Sequence, residues 1–142
     1  MRIVLYLLLF SLIFTINLRA LEEKAIYADV LLKTTKSWDG VVFPEYPKGE
    51  PEITILKIII PPHMQLPIHK HPIINAGILL KGKLTVETED NEKLYLKEGD
   101  SIAEVVNKWH HGINESDEPV EILVFYAGIK DMPITIKKEN TK

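Results

Sequence analysis

The chain has 142 residues, 46% of them hydrophobic and 26% charged, with five histidines, no cysteine and a formal net charge of −3. That length suits one domain, and that balance excludes a disordered chain, a collagen-like repeat and a polytopic membrane protein. The lack of cysteine excludes a disulfide framework, a thiolate zinc site, an iron–sulfur cluster and a cysteine nucleophile, so any metal must be held by nitrogen and oxygen.

In chain order, residues 1–20 come first and read as a secretory signal. Arg2 precedes an almost wholly apolar run from Ile3 to Leu18, and Ala20 supplies a small residue at a cleavage site. The run can also serve as an uncleaved anchor, although its 16 positions fall short of the roughly 20 that cross a bilayer. Either way the chain is expected to be exported, to the periplasm or beyond, with residues 21–142 as its one folded domain. That portion has 15 basic and 20 acidic residues and contains no arginine. A net of −5 argues against a nucleic-acid partner, because phosphate binding needs clustered cations.

Residues Glu22 to Lys33 fit a helix or a strand, and Ile26 to Thr34 is a β-rich candidate for strand exchange in a homodimer. Trp38 to Pro51 is expected to be an ordered loop, since Trp38, Phe43 and Tyr46 need a surface to bury against. Strand signals then dominate. Ile53 to Ile60 is β-branched and ends at Pro61-Pro62. Asn75 to Leu80 leads through Lys81-Gly82-Lys83 into Leu84 to Thr88, whose residues alternate apolar and polar. Glu89 to Glu92 is a polar tip before Lys93 to Lys97, and Val120 to Ala127 follows a turn at Glu115 to Pro119. Seven or eight short strands predict an all-β sandwich, barrel or jelly roll. The polar tail after Asp131 is expected to fray.

All five histidines lie between His63 and His111. On a strand His69 and His71 share a face, about 7 Å apart along the backbone. Two such imidazoles can converge on one ion or simply stand exposed on a half-buried strand. Reading on, the chain has H-x-H-x3-N-x6-G from His69 through Asn75 to Gly82, then G-x5-V-x-N-x2-H-x3-N from Gly99 through His110 to Asn114.

These spacings resemble the two motifs of the cupin superfamily, G-x5-H-x-H-x3,4-E-x6-G and G-x5-P-x-G-x2-H-x3-N, and the likeness extends over most of residues 50–127. The resemblance implies a single-domain double-stranded β-helix, a jelly-roll barrel, in which His69, His71 and His110 hold a divalent metal ion: Fe, Mn, Zn, Ni or Cu. Four positions depart from the pattern, in three departures. Asn75 stands in place of the metal-binding glutamate. Val105 and Asn107 replace a proline and a glycine, and His63 replaces the first glycine. An amide at 75 brings no charge, which leaves a neutral shell, a weaker hold on the ion and a stronger Lewis acid. Asn75 can also stand aside and leave three histidines with open positions.

Glu104 is the other carboxylate of interest. It interrupts an apolar stretch, Ile102 to Val106, where a charge is rarely buried unpartnered. It is expected either to face the cavity, as a ligand or an acid/base, or to cap a solvated strand end. Gln65 is placed as a pocket-lining residue, and one of Phe125 and Tyr126 must face inward, with Tyr126 a candidate substrate contact. His63 and His111 are expected to be bystanders, and Trp109 to pack on the outer face. The function that this resemblance implies is that of an exported metal-binding cupin whose three-histidine centre acts on or binds a small organic molecule. As an enzyme it would be an Fe or Mn dioxygenase, or a Lewis-acid isomerase or lyase. The alternatives are a non-catalytic metabolite- or metal-binding module and a structural dimerisation barrel.

Overall fold

A computed structural model describes residues 26–139. The signal segment expected at 1–20 therefore lies outside the described residues. Among the described residues there is no helix. There are nine strands: β1 (Pro51–Ile60), β2 (His69–Lys70), β3 (Asn75–Lys81), β4 (Lys83–Thr88), β5 (Lys93–Lys97), β6 (Ser101–Ala103), β7 (His110–Ile113), β8 (Val120–Ile129) and β9 (Ile136–Lys137).

They form two sheets, one ordered β1-β8-β3-β6 and the other β5-β4-β7-β2-β9. Every pairing within them is antiparallel. This is the expected all-β jelly roll. Period-two alternation decides which side chains enter the space between the sheets. From β8 these are Val120, Ile122, Val124 and Tyr126, and from β4 Leu84 and Val86; Ile60 at the end of β1 joins them, and Leu56 and Ile58 pack against this core from the same face. Several outward residues of the first sheet are also apolar, with Ile53, Ile55, Ile59 and Phe125 exposed, and Lys57 pairs with Glu121 on the same face.

The turns keep the backbone shape that the motifs require even where their glycines are missing. Gly82, between β3 and β4, has φ 86°. A side chain there would sit 3.2 Å from the Pro119 carbonyl oxygen. His63 and Asn107, the two residues that replace motif glycines, have φ 56° and 57°. Both stay in the left-handed region, where asparagine is among the better-tolerated non-glycine residues. The amide of Asn107 donates to the carbonyl of His71 at 2.8 Å, so this turn carries the chain beside a candidate ligand.

Two sequence expectations are corrected. Residues 26–34 form neither helix nor strand. Asp29, Val30, Leu31 and Leu32 instead line a cavity with Ile55, Ile78, Leu123 and Phe125, so this segment lies over the outer face of the first sheet rather than along an edge. The described part of the tail, residues 132–139, is not frayed. β9 pairs with β2, and the amide of Lys138 donates to the carbonyl of Ile68 at 2.9 Å. A two-residue strand such as β2 would otherwise leave its outer edge unpaired.

The 38–51 loop divides. Trp38 packs against the core, whereas Tyr46 is exposed. Asn114, the last residue of the second motif, is fully buried. Its amide nitrogen donates to the carbonyls of Ile60, Pro61 and Glu118 at 3.0, 3.0 and 2.8 Å, and its oxygen accepts from the Ser116 amide and hydroxyl. One side chain thus ties the end of β1 to the turn before β8.

Candidate metal centre

Strand register builds the site. His69 on β2 lies directly across from His110 on β7, and directly opposed residues share a sheet face. His71 follows two residues after His69 and bridges in parallel to Val106, which keeps it on the same face. The three imidazoles meet with ring centroids 4.6 to 5.1 Å apart, and their candidate ligand atoms lie within 4.8 Å of one another. His71 and His110 are each 2% exposed.

Backbone carbonyls decide which nitrogen faces inward. Nδ1 of His69 lies 2.7 Å from the Pro67 oxygen, Nδ1 of His71 2.7 Å from the Ile134 oxygen, and Nδ1 of His110 2.9 Å from the Lys108 oxygen. A carbonyl only accepts, so each Nδ1 donates, and each neutral ring presents its Nε2 lone pair to the interior. The Lys108 carbonyl is itself held in place. The Lys108 ammonium pairs with Asp39 and Asp90, both at 3.2 Å, and with Glu92. Burial opposes protonation of His69 and lowers its pKa to about 4. At neutral pH that ring is a free base, the form that coordinates a metal.

Glu104 enters the same cavity. Its Oε2 lies 2.9 Å from Nε2 of His71 and 3.7 Å from Nε2 of His110. Burial alone would raise its pKa, but the neighbouring His110 and His71 imidazoles outweigh it and hold the carboxyl well below the usual range. In return, His71 is raised despite its burial, because the Glu104 charge favours a proton there. Neither Glu104 Oε2 nor His110 Nε2 has a hydrogen-bond partner, although both are buried. Such orphaned atoms are costly unless something else satisfies them. Donors each about 2.1 Å from one ion and set 90° to 120° apart stand about 3.0 to 3.6 Å from each other. The Glu104 contacts with His71 and His110 are close to those edges, and the three imidazoles, whose ligand atoms lie within 4.8 Å of one another, form the group that can share a divalent ion.

The other candidate residues fall into place around this centre. Asn75 is buried on β3 with both amide atoms unpartnered, but it does not line the cavity that holds the histidines and Glu104. Tyr126 does line it, with its ring 5.3 Å from that of His71. Burial and then the Glu104 charge push the Tyr126 phenol up, against a hydrogen bond with Thr135. Phe125 faces out, 44% exposed. The placement of Gln65 in the pocket is corrected: it is exposed, and Leu66 lines the cavity instead, because alternation turns neighbouring residues to opposite sides. His63 is exposed and pairs with Asp117 at 2.9 Å. His111 follows His110 on β7 and is partly buried, on the opposite face. Lys70 lies 4.8 Å above the Trp109 ring, a contact outside the cavity.

Residues 134–137 had no signal in the sequence. Ile134 supplies the carbonyl for His71, and the Thr135 hydroxyl lies 3.2 Å from the same nitrogen. Thr135 and Lys137 line the cavity mouth, of about 160 Å³, with Leu56, Ile58, Leu66 and Pro67. The space deeper in, against Glu104 and His110, is about 30 Å³, near the volume one water occupies.

Comparison with known proteins follows the same lines. No curated protein matches the sequence. Among solved structures the chain is similar to the DMSP lyase DddQ from Ruegeria pomeroyi DSS-3, with a TM-score of 0.53 and 20% identity over 61% of this chain and 43% of that one. It is similar to the polyketide cyclase RemF from Streptomyces resistomycificus, with a TM-score of 0.54 and 13% identity over 66% and 65% of the two chains. For an oxalate decarboxylase from Lactobacillus farciminis the TM-score is 0.53, with 19% identity over 60% of this chain and 26% of that one. The match thus spans less than two thirds of each of these proteins, and at such identities the likeness is one of fold. The cupin domain model matches residues 56–126, half of the chain. Taken with the two sheets and the histidines that meet between them, this match makes the chain a member of the cupin family.

Proposed function

We propose that this chain holds a divalent metal ion on His69, His71 and His110, and that the centre binds or transforms a small organic molecule entering by the cavity mouth. One observation carries the reading: three buried or half-buried imidazoles, each locked by a backbone carbonyl at Nδ1, turn their Nε2 atoms to one point. Glu104 supplies the carboxylate that position 75 lacks, and it does so from another strand end. When bound, the ion would polarise a substrate oxygen. The chain's own groups do the rest. Glu104 balances the charge, the Tyr126 phenol stays protonated and can donate a hydrogen bond, and Leu56, Ile58 and Leu66 exclude water from an apolar substrate body.

Metal analysis of the purified protein and of its His69→Ala and His110→Ala variants tests this. The wild type is expected to carry close to one ion per chain and the variants much less. Equally low content in all three removes the reading. Oxygen uptake by the iron-loaded protein across a substrate panel then separates a dioxygenase from a non-catalytic binding module. The relatives named as lyase, cyclase and decarboxylase favour catalysis.

Export is part of the same proposal and rests on the Arg2-to-Ala20 pattern. Intact-mass measurement of the expressed protein checks it, with Leu21 as the expected new N-terminus. A homodimer is supported by the apolar outer face of the first sheet, where Ile55 is 57% and Phe125 44% exposed. Ile55→Lys is expected to yield monomers in sedimentation experiments; an unchanged dimer would place the contact elsewhere.

A further inference from the structure

We propose that Lys137 makes the cavity mouth an anion subsite, so that the molecule taken up is a small organic carboxylate with an apolar body. Strand register carries the argument. Lys137 on β9 lies directly across from His69 on β2. Opposed residues in an antiparallel pair present their side chains on one face, and His69 faces the cavity. β9 is the outermost strand of its sheet, so Lys137 stands at the rim while His69 and His71 stand deeper.

The mouth is otherwise walled by Leu56, Ile58, Leu66 and Pro67, and its volume of about 160 Å³ equals about five water molecules. Of the polar groups there other than Lys137, Nδ1 of His69 faces Pro67 and Nδ1 of His71 faces Ile134 and Thr135, while the Tyr126 phenol stays uncharged. The neighbouring lysines are engaged as well, Lys138 with Glu89 and Lys130 with Glu50. Lys137 forms no ion pair among the described residues, and it is the single cation lining this mouth. An ammonium at the rim of an apolar slot is matched by an anionic head on an apolar body, through a charge-assisted hydrogen bond. An inward lysine on an edge strand can also act purely to discourage edge pairing with another chain, and the two roles separate by experiment.

This inference rests on the metal-centre reading only for what the molecule meets at the inner end. Butyrate and its neutral isostere butyramide are titrated by calorimetry into the untreated protein and into the chelated protein. The same is done with Lys137→Met and Lys137→Arg, and metal content is measured on each sample. The expected result is that Lys137→Met loses at least about tenfold in butyrate affinity, that butyramide binding stays level, and that Lys137→Arg retains the preference. Metal content is expected to be the same in all three. Butyrate affinity unchanged in Lys137→Met overturns the subsite, and self-association of that variant would then mark the lysine as an edge guard. Failure of the wild type to prefer butyrate, including binding neither compound, overturns it too. A Lys137-dependent preference in untreated protein that holds no metal sinks the metal reading and leaves the subsite. Metal present without that preference does the reverse.

Discussion

Replacing Glu104 by glutamine keeps the side chain's shape and removes its charge. The carboxylate lies 2.9 and 3.7 Å from two of the imidazole nitrogens that face the centre. A dication and a carboxylate about 4 Å apart attract by about 8 kcal/mol at an effective dielectric constant of ~20. Desolvation of both partners returns most of that. A residual of about 2.7 kcal/mol corresponds to a hundredfold loss of metal affinity. At an ion concentration 100 times the wild-type Kd, binding stabilises the wild type by about 2.7 kcal/mol. The variant, at the same concentration, gains only about 0.4 kcal/mol. The difference of about 2.3 kcal/mol appears as a loss of about 9 °C in the metal-induced rise of Tm for a domain of this size. Without metal the same substitution is expected to be destabilising, because the lowered Glu104 and the raised His71 favour each other's charge in the folded chain. Thermal melts of both proteins, chelated and in graded zinc, check both effects. Equal metal-induced shifts in the two proteins would refute the argument that Glu104 replaces the motif carboxylate. A chelated variant as stable as the chelated wild type would show that the Glu104–His71 contact contributes nothing to the metal-free fold.

The remaining expectations concern the frame of the site. Asn114→Ala leaves the carbonyls of Ile60, Pro61 and Glu118 without their donor and should cost about 3 kcal/mol in urea denaturation; a cost under about 1 kcal/mol would mean that water replaces the amide. Asn107 sits at φ 57°, so Asn107→Gly should be close to neutral, whereas Asn107→Val should lose about 1–2 kcal/mol; equal melting points would show that the turn relaxes.

In the metal-free protein His69 is held at about 4 against an ordinary 6.5. Between those values the unfolded chain takes up a proton that the folded chain does not, so this group makes stability fall as pH drops from 6.5 towards 4. The raised His71 acts oppositely: its contribution is present below 6.5 and is lost as pH rises through its folded value. Denaturation of chelated wild type and His69→Gln across that range should show a shallower acid loss in the variant, and parallel slopes would count against a buried neutral His69.

Local pattern alone makes the frame legible. The alternation in Leu84 to Thr88 and Val120 to Ala127 marks which side chains face inward, because a strand repeats every two residues. The same rule paired His69 with His71 and set Tyr126 against Phe125. Motif spacing brought in His110, since residues at fixed distances from two turns arrive at fixed places in the fold. Even the missing glycines at 63 and 107 left a trace, as the backbone keeps its left-handed turns there.

Long-range pairing decided the rest. Ile134 reaches His71 across 63 residues, and no local periodicity in the polar tail announces that contact. The expectation of a frayed end failed because β2 needs a partner that only the folded sheet supplies. Leu66 rather than Gln65 faces the cavity because neighbours on an extended chain face opposite sides, and here the phase is set by the long-range bridge of Gln65 to Ile113. The sequence left open whether Glu104 faced the cavity or solvent. The packed barrel places its carboxylate beside two imidazoles, since only there is a buried charge offset by opposite or polar neighbours. The histidines, then, belonged to the sequence. Their tautomers, their carboxylate neighbour and the lysine at the mouth came from strands that meet only in the folded chain.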